Sequence, residues 1–385
     1  MSYQKSEVFV KPEWNQSRLG WLACAWFEKF GSVSLKKLQN HFNNDNGDKA
    51  FQASETELIK CGIIPASTKE FITWRKNIKP ENLKKNIDNH GIDFFLPWDK
   101  PYPAILHQTS SPPGAIFWRG APLDSRPWIA VVGTRRMSTY GKRATEKIVT
   151  ELAQMGAGII SGLALGIDGQ AHKSCIDAKG KTIAVLGCGL DDATIYPRAH
   201  QKLAEQILLN QGSLISEYPP LTPSLKHHFP LRNRIIAGLS KAVIVIEAGE
   251  KSGSVLTAKN ALDENREVFA VPGPITSSTS IGSNDLIKQG AGVCTSATDI
   301  LSNQNFIPAK TTIQTREPTM DEKCILDLCR TSTHVDDMAR LLQLSPAIVS
   351  STCLNLELMN ALQDTGGGNY EITPTGRQML TMPHN

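Results

Sequence analysis

The middle of the chain alternates short, continuously apolar runs with amphipathic segments. Between Trp128 and about Leu301, seven runs have the composition of strands buried on both faces: WIAVVG, AGIIS, TIAVLG, SLISE, AVIVIEA, EVFAVPG and the weaker GVCT. The segments between them space their apolar residues three and four apart, as helices do. This alternation predicts an α/β fold with a doubly wound, Rossmann-like parallel sheet covered by helices on both faces.

Helical patterns lie on both sides of this region. Residues 16–80 carry apolar positions at three- and four-residue spacing, broken by polar turns, and predict an α-helical N-terminal domain. After residue 319, three short amphipathic segments precede LQDTGGGNYEIT, whose glycines indicate a hairpin. Three helices followed by a hairpin predict a winged helix.

Proline marks the joints between these regions. The stretches LPWDKPYPAIL and SSPPGAIFWRG favour extended and turn conformations, and FIPAKTTIQTREP is polar and bounded by proline. We therefore divide the chain into a helical domain (1–80), a proline-rich segment that joins the next domain (81–127), a Rossmann-like domain (128–303), a linker (304–318) and a winged helix (319–385).

The cysteine content indicates a reducing compartment, whereas the net charge does not identify a binding partner. The 385 residues carry a formal net charge of +4, which is too small to indicate a nucleic-acid partner by its size alone. The eight cysteines include no C-x-x-C pair and no zinc-site spacing, so we expect free thiols and no metal. Neither a signal peptide nor an apolar run long enough to span a membrane is evident. We expect a cytoplasmic protein.

The distribution of charge is more informative than its sum. Two segments contain several cations and no acidic residue, one after the first predicted strand and one before a predicted helix. Their cations are Arg135, Arg136, Lys142 and Arg143 in the first, and Lys226, Arg232, Arg234 and Lys241 in the second. Phe229 lies within the second segment. Phosphate-binding cations beside a ring that stacks a base are suited to single-stranded nucleic acid, although a solvated basic face accounts for the charge equally well.

Ligands of a doubly wound sheet bind beyond the carboxyl ends of its strands. Ser161 and Gly162 lie at such an end, in a glycine-containing loop. The glycines either let backbone amides approach a phosphate closely or serve only to make a tight strand-to-helix turn. The chain contains neither G-x-G-x-x-G nor a Walker A loop, so no nucleotide cofactor is expected. Four titratable residues near strand ends form no recognisable nucleophile–base pair, so we expect a binding protein and not an enzyme: Asp168, His172, Glu217 and Glu247.

A series of motifs runs in order from about residue 96 to 293. Among them are SSPPGAIFWRG, VVGTRRMSTYG, ISGLALGIDGQAH, SEYPP, HHFPLRNRIIAGLS and VIVIEAGEKSGSVLTAKNAL. In this order the motifs resemble the bacterial DNA-processing protein A family (DprA, also called Smf). The resemblance implies a homodimeric protein that binds single-stranded DNA through an extended Rossmann domain. It also implies that the protein protects incoming strands in natural transformation (competence) and helps to load the RecA recombinase for DNA recombination.

The resemblance also implies which residues contact DNA. The contacts of the family carry over onto Arg135, Lys226, Phe229, Arg232, Asn233 and Arg234. With Arg136, Ser161 and Gly162 from the strand ends, they form the predicted DNA-binding site. No catalytic residue, metal ligand or cofactor is predicted.

The chain departs from the family pattern at both ends. The N-terminal domain of the family resembles a SAM or helix-hairpin-helix module, but FGSVSLKKL lacks the second glycine of the phosphate-binding turn. The third helix of the winged helix, Pro346 to Ala361, contains no Lys or Arg. A reader of the major groove needs such donors, so we expect partner contact or a structural role there.

A second function stays open from the sequence. A nucleoside-monophosphate phosphoribohydrolase-like enzyme uses a related Rossmann scaffold and carries the loop P-G-G-x-G-T-x-x-E. Here the corresponding segment is EAGEKSGSVLTAK, which lacks the carboxylate after the glycine pair. The sequence therefore favours DNA binding over nucleotide hydrolysis.

Overall fold

The computed structural model describes residues 11–250, 252–301, 318–358 and 361–380. The chain forms two compact units, residues 1–309 and 310–385, which are described separately. The linker predicted at 304–318 lies, apart from Pro318, outside the described residues.

Six helices form the N-terminal part of the first unit: α1 (Gln16–Trp26), α2 (Ser32–Phe42), α3 (Gly47–Gln52), α4 (Glu55–Lys60), α5 (Pro65–Arg75) and α6 (Pro80–Asn89). Local signals start several of them. Asn15 accepts a hydrogen bond from the first turn of α1, Ser54 and Glu57 form a capping box at α4, and α5 and α6 begin with proline. Their apolar faces share one core with Phe94 and Phe117 of the following sheet. The helices therefore fold onto the sheet.

The remainder of the first unit is a nine-stranded sheet: β1 (Asp93–Phe95), β2 (Ile116–Gly120), β3 (Trp128–Val132), β4 (Gly158–Ser161), β5 (Thr182–Val185), β6 (Ser213–Ser216), β7 (Ala242–Val245), β8 (Glu267–Ala270) and β9 (Gly292–Val293). The strand order is β1-β2-β6-β5-β4-β3-β7-β8-β9. From β6 to β9 all pairings are parallel, and they involve the seven predicted strands. The predicted Rossmann-like sheet is confirmed.

The sequence did not predict β1 and β2. They lie in the proline-rich segment expected only to connect two domains, and they pair antiparallel with each other and with β6. Trp118 of β2 pairs with Ile215 of β6 in this register. The sheet therefore begins well before Trp128.

Helices cover the sheet: α7 (Thr139–Gln154), α8 (Ile167–Asp177), α9 (Gln201–Leu209), α10 (His228–Leu239), α11 (Gly253–Asp263), α12 (Ile281–Lys288) and α13 (Thr298–Leu301). Every residue of β3 to β7 is buried, as continuously apolar strands require. Because β3 lies between β4 and β7, the chain winds outward from β3 in both directions. The loops at such a switch point diverge and leave a crevice.

The second unit has the winged-helix architecture predicted from the sequence. Its elements are α14 (Met320–Leu328), β10 (Thr333–His334), α15 (Val335–Leu342), α16 (Pro346–Leu358), β11 (Leu362–Gly366), β12 (Asn369–Ile372) and α17 (Pro374–Leu380). The strands form a small antiparallel sheet in the order β10-β12-β11. Gly366, Gly367 and Gly368 all have positive φ, which permits the tight turn between β11 and β12.

Within the described residues, no helix combines the length and the apolar character needed to cross a bilayer.

Candidate nucleic-acid interface

The loop after β3 meets the first turn of α10 at the carboxyl edge of the sheet. Arg135 lies in that loop and Phe229 is the second residue of α10, and the guanidinium of Arg135 lies over the Phe229 ring. Both residues line a cavity of about 310 Å³ together with Lys226. The two acid-free segments of the sequence therefore come together in space.

The exposed cations of this site are not neutralised by neighbours. Arg135, Arg136 and Lys226 are exposed, and none of the three forms an ion pair with a carboxylate in the part of the chain that the structure describes. Phosphate groups are the natural counter-charges for such side chains.

The first turn of α11 forms another wall of the cavity. Ser252, Gly253 and Ser254 line it, and no acidic residue lies in that first turn. The amino end of a helix carries a partial positive charge, which adds to that of the arginine and lysine side chains. The electrostatics of the cavity favour an anion.

Phe229 is less open than the sequence suggests. It is half-buried and packs close to Gly187, where an added Cβ would lie 3.3 Å from the phenyl ring. Arg135 covers one face of the ring, and the Tyr196 ring lies 5.7 Å away, centroid to centroid, at an interplanar angle of 41°. Phe229 is thus the centre of a cluster whose exposed members are Arg135 and Tyr196.

Arg232 is a buried member of the site. Its side chain is only 5% exposed and donates hydrogen bonds to the carbonyls of Gly162 (2.8 Å) and Val185. Burial lowers the pKa of the Arg232 guanidinium to about 10, and the nearby Asp168 carboxylate opposes this shift. Arg232 therefore links the loop after β4 to the last residue of β5. A direct contact between Arg232 and DNA stays a prediction, and the geometry favours a supporting role.

Ser161 and Gly162 also have internal partners. The Ser161 hydroxyl donates to the Val131 carbonyl (2.6 Å), and the Gly162 amide donates to the Asp168 carboxylate (3.1 Å). An added Cβ at Gly162 would lie 2.3 Å from the Arg232 guanidinium, so glycine is required there by close approach. The two residues shape the loop from within, and their direct contact with DNA stays a prediction.

The three residues of the RNR motif point in different directions. Asn233 is 9% exposed, lines the same cavity and donates to the Gly253 carbonyl (3.3 Å). Arg234 instead donates to the Ser111 carbonyl (2.6 Å) and pairs with Glu217 at 2.5 Å. It lines a separate cavity of about 330 Å³ next to α2. Arg234, although its own segment contains no acidic residue, is therefore neutralised by Glu217, and its contact with DNA stays a prediction.

Comparison with known proteins identifies the family. Residues 93–305 match the sequence model of DNA recombination-mediator protein A, and residues 309–368 match that of the DprA winged helix domain. The chain belongs to the DNA recombination-mediator protein A family. It is 39% identical over 301 residues to Protein Smf of Synechocystis sp., which covers 76% of this chain and 74% of the relative.

Solved structures of the DprA family match as well. The X-ray structure of DNA processing protein A from Streptococcus pneumoniae superposes with a TM-score of 0.63 at 32% identity, covering 76% of this chain and 99% of that one. A structure that describes the single-stranded DNA binding mode of the Helicobacter pylori protein covers 54% of this chain and 94% of that one, with 29% identity and a TM-score of 0.47. The resemblance seen in the sequence is confirmed.

In this DprA family member, the titratable residues near the strand ends form hydrogen bonds with neighbouring elements of the fold. His172 contacts the Thr182 hydroxyl (2.7 Å), and burial lowers the pKa of His172 to about 3. Glu247 accepts hydrogen bonds from the amide (2.9 Å) and hydroxyl (2.6 Å) of Ser138 at the start of α7. Among the described residues, the four candidates form no hydrogen bond with one another: Asp168, His172, Glu217 and Glu247.

Sequence reasoning missed two parts of the candidate site. Tyr196 is 45% exposed beside Phe229, and the first turn of α11 lines the cavity. Tyr196 belongs to the stretch IYP, where a single aromatic residue between a buried isoleucine and a proline gives no periodic signal. Its position follows only from the pairing of strands that brings the loop after β5 to α10.

Proposed function

We propose that this protein binds single-stranded DNA at the cavity between the β3 loop, α10 and α11. The stacking of Arg135 on Phe229 next to the exposed Lys226 is the observation on which this proposal rests. Proteins that bind single strands combine cations for the phosphates with rings and guanidinium planes for the bases. The proposed direct contacts are Arg135, Arg136, Lys226 and Phe229, and the proposed supporting residues are Ser161, Gly162, Arg232 and Asn233. Arg234, which lines the separate cavity, would reach DNA only if the strand extended that far.

The proposed cellular role follows from family membership. The protein would protect incoming single strands during natural transformation and help to load RecA on them, acting as a homodimer and without catalysing a reaction. Exposed aliphatic side chains after β8, Ile275 (93% exposed) and Ile281 (41%), support a surface for a second copy. All eight cysteines are free, which supports a reducing cytoplasmic location.

The decisive experiment measures binding of single- and double-stranded oligonucleotides by fluorescence anisotropy at several salt concentrations. We expect tighter binding of the single strand, and loss of affinity in Arg135→Ala and Lys226→Ala. Lys69→Ala is a matched control because Lys69 is an exposed lysine on α5, away from the cavity. Equal affinity of the wild-type protein for both forms, or no binding at all, would refute the proposal.

A nucleotide hydrolase is the second candidate because the cavity is large enough for a single nucleotide and contains Asp168. The Asp168 carboxylate already accepts the Gly162 amide, and burial raises its pKa. Incubation with AMP tests this candidate directly: released adenine, absent in Asp168→Asn, would favour the hydrolase over the binding protein.

A further inference from the structure

The loop after β5 presents an aromatic ring and a cation next to the proposed DNA site. Tyr196 is 45% exposed and lies against Phe229, and Arg198 follows it in an exposed 3-10 turn, Arg198–His200. Within the described residues, Arg198 forms no ion pair, and no hydrogen bond involves the Tyr196 hydroxyl. The exposed part of the Tyr196 ring and the Arg198 guanidinium are therefore accessible to a ligand.

This loop is anchored on both sides of the ring. Asp191, which is fully buried, accepts hydrogen bonds from the Thr194 hydroxyl (2.6 Å) and the Leu221 amide (2.7 Å). On the other side, the ring nitrogen of His200 contacts the Leu163 carbonyl (2.8 Å). The backbone around Tyr196 is therefore fixed before any ligand arrives, which reduces the entropy lost on binding.

The same ring is better placed to receive a base than Phe229. Arg135 already covers one face of Phe229, whereas Tyr196 is 45% exposed and shares the rim of a shallow cleft of about 30 Å³ with Leu165, which is 44% exposed. A nucleobase has two apolar faces and polar edges, so it can cover Tyr196 and Leu165 while its edges stay in water.

We propose that Tyr196 and Arg198 extend the single-strand track beyond Phe229, with Tyr196 stacking a base and Arg198 binding a neighbouring phosphate. The track then runs from Lys226 and Arg135 to the loop after β5 along the carboxyl edge of the sheet. This inference rests on the proposed function, because it assigns further contacts to the same strand of DNA.

Substitutions at Tyr196 test the stacking. Tyr196→Leu keeps an apolar side chain against Phe229 but removes the aromatic face, so affinity for oligothymidine should fall about fivefold or more. Tyr196→Phe should bind like the wild type. Tyr140→Leu is the matched control, because Tyr140 is 44% exposed on α7 and its hydroxyl donates to the Pro272 carbonyl. Thermal melting of each variant checks that the fold is retained.

The salt dependence separates the ring from the cation. Arg198→Ala should flatten the log–log salt slope by about 0.7, the share of one phosphate on a single strand, and Tyr196→Leu should leave it unchanged. A series of oligonucleotides, each lacking the base at one position, adds a direct readout. Loss of the base that stacks on Tyr196 should weaken binding to the wild type and should not affect binding to Tyr196→Leu.

The outcomes distinguish this inference from the proposed function. If Tyr196→Leu and Arg198→Ala bind like the wild type while Arg135→Ala loses affinity, the extension is wrong and the central site stands. If the wild-type protein itself fails to bind single strands, both proposals fall together.

Discussion

The guanidinium carbon of Arg135 lies 5.4 Å from the centroid of the Phe229 ring. The contact joins the loop after the first parallel strand to the start of α10, two segments that are distant in the sequence. A cation over an aromatic face is stabilised by about 0.5–1 kcal/mol at an exposed site, which holds the guanidinium at the mouth of the cavity. We therefore expect the Arg135 guanidinium and the Phe229 ring to bind a ligand together.

The first prediction concerns the number of phosphates. Arg232 and Arg234 have internal partners, so among the residues that the structure describes the exposed cations of the central site are Arg135, Arg136 and Lys226. With Arg198, this gives three or four phosphate contacts and a log–log slope of affinity against salt of about −2 to −3, at about −0.7 per contact. Anisotropy titrations at four salt concentrations measure it. A slope near zero would contradict phosphate binding.

The second prediction separates Arg135 from Phe229. Phe229→Ala should weaken single-strand binding by about 1–3 kcal/mol without changing the salt slope, whereas Arg135→Ala should also flatten the slope. Because the two side chains stack, the double variant should lose less than the sum of the single losses. Additive losses would show that the pair does not act as a unit.

The third prediction concerns Arg232 and stability. Arg232→Ala removes hydrogen bonds to the Gly162 and Val185 carbonyls and leaves buried acceptors unpaired, so the free energy of unfolding should fall by about 3 kcal/mol or more. Gly162→Ala should also destabilise, because its Cβ would collide with the same guanidinium. Chemical denaturation measures both. Arg136→Ala, at an exposed position, is the control and should unfold like the wild type.

Part of this fold and of its candidate site could be predicted from the sequence alone. The seven parallel strands were predictable because burial on both faces makes their residues continuously apolar. β1 and β2 were not, because short antiparallel edge strands among prolines carry no such pattern. The structure brings Arg135, Lys226 and Phe229 together, and their contact with DNA stays a prediction. The different surroundings of Arg232 and Arg234 could not be predicted from the sequence. Because they are two residues apart on a helix, Arg232 and Arg234 lie on nearly opposite faces of it. The partner of Arg234, Glu217, follows a different strand, β6, and the sequence does not show that the two meet.

The fourth prediction concerns pH. His172 is fully buried and its pKa is lowered to about 3, below the value of about 6.5 in an unfolded chain. The unfolded state therefore binds this proton first, so the stabilisation is complete above pH 6.5 and is lost as the pH falls toward 3. Between pH 6 and pH 5, His172 should lower the free energy of unfolding by about 1 kcal/mol.

Denaturant unfolding at both pH values tests the effect of His172, with His172→Gln as the comparison. The variant should lose less stability over this interval than the wild type, whatever its own stability at pH 7. Equal losses in the two proteins would show that other groups determine the pH dependence.

The fifth prediction concerns the winged helix. Its third helix, α16, exposes Ile348 and Leu354 and contains no Lys or Arg, so it offers no cation to a phosphate backbone. A chain that ends after residue 303 should keep its single-strand affinity within about fivefold, or 1 kcal/mol. Circular dichroism establishes that the shorter chain is folded. A folded product that binds tenfold more weakly or worse would show that the winged helix contacts DNA.

The antiparallel pairing of β2 with β6 has a consequence for shortened forms of this protein. A fragment that starts at β3 contains all seven parallel strands, yet it leaves β6 as an unprotected edge with free amide and carbonyl groups. Such an edge recruits other chains, and the fragment also lacks Phe117 and Trp118, which pack in the cores on the two faces of the sheet, so it would aggregate. The proline-rich segment that the sequence suggests is only a connection thus protects the β6 edge of the sheet from other chains.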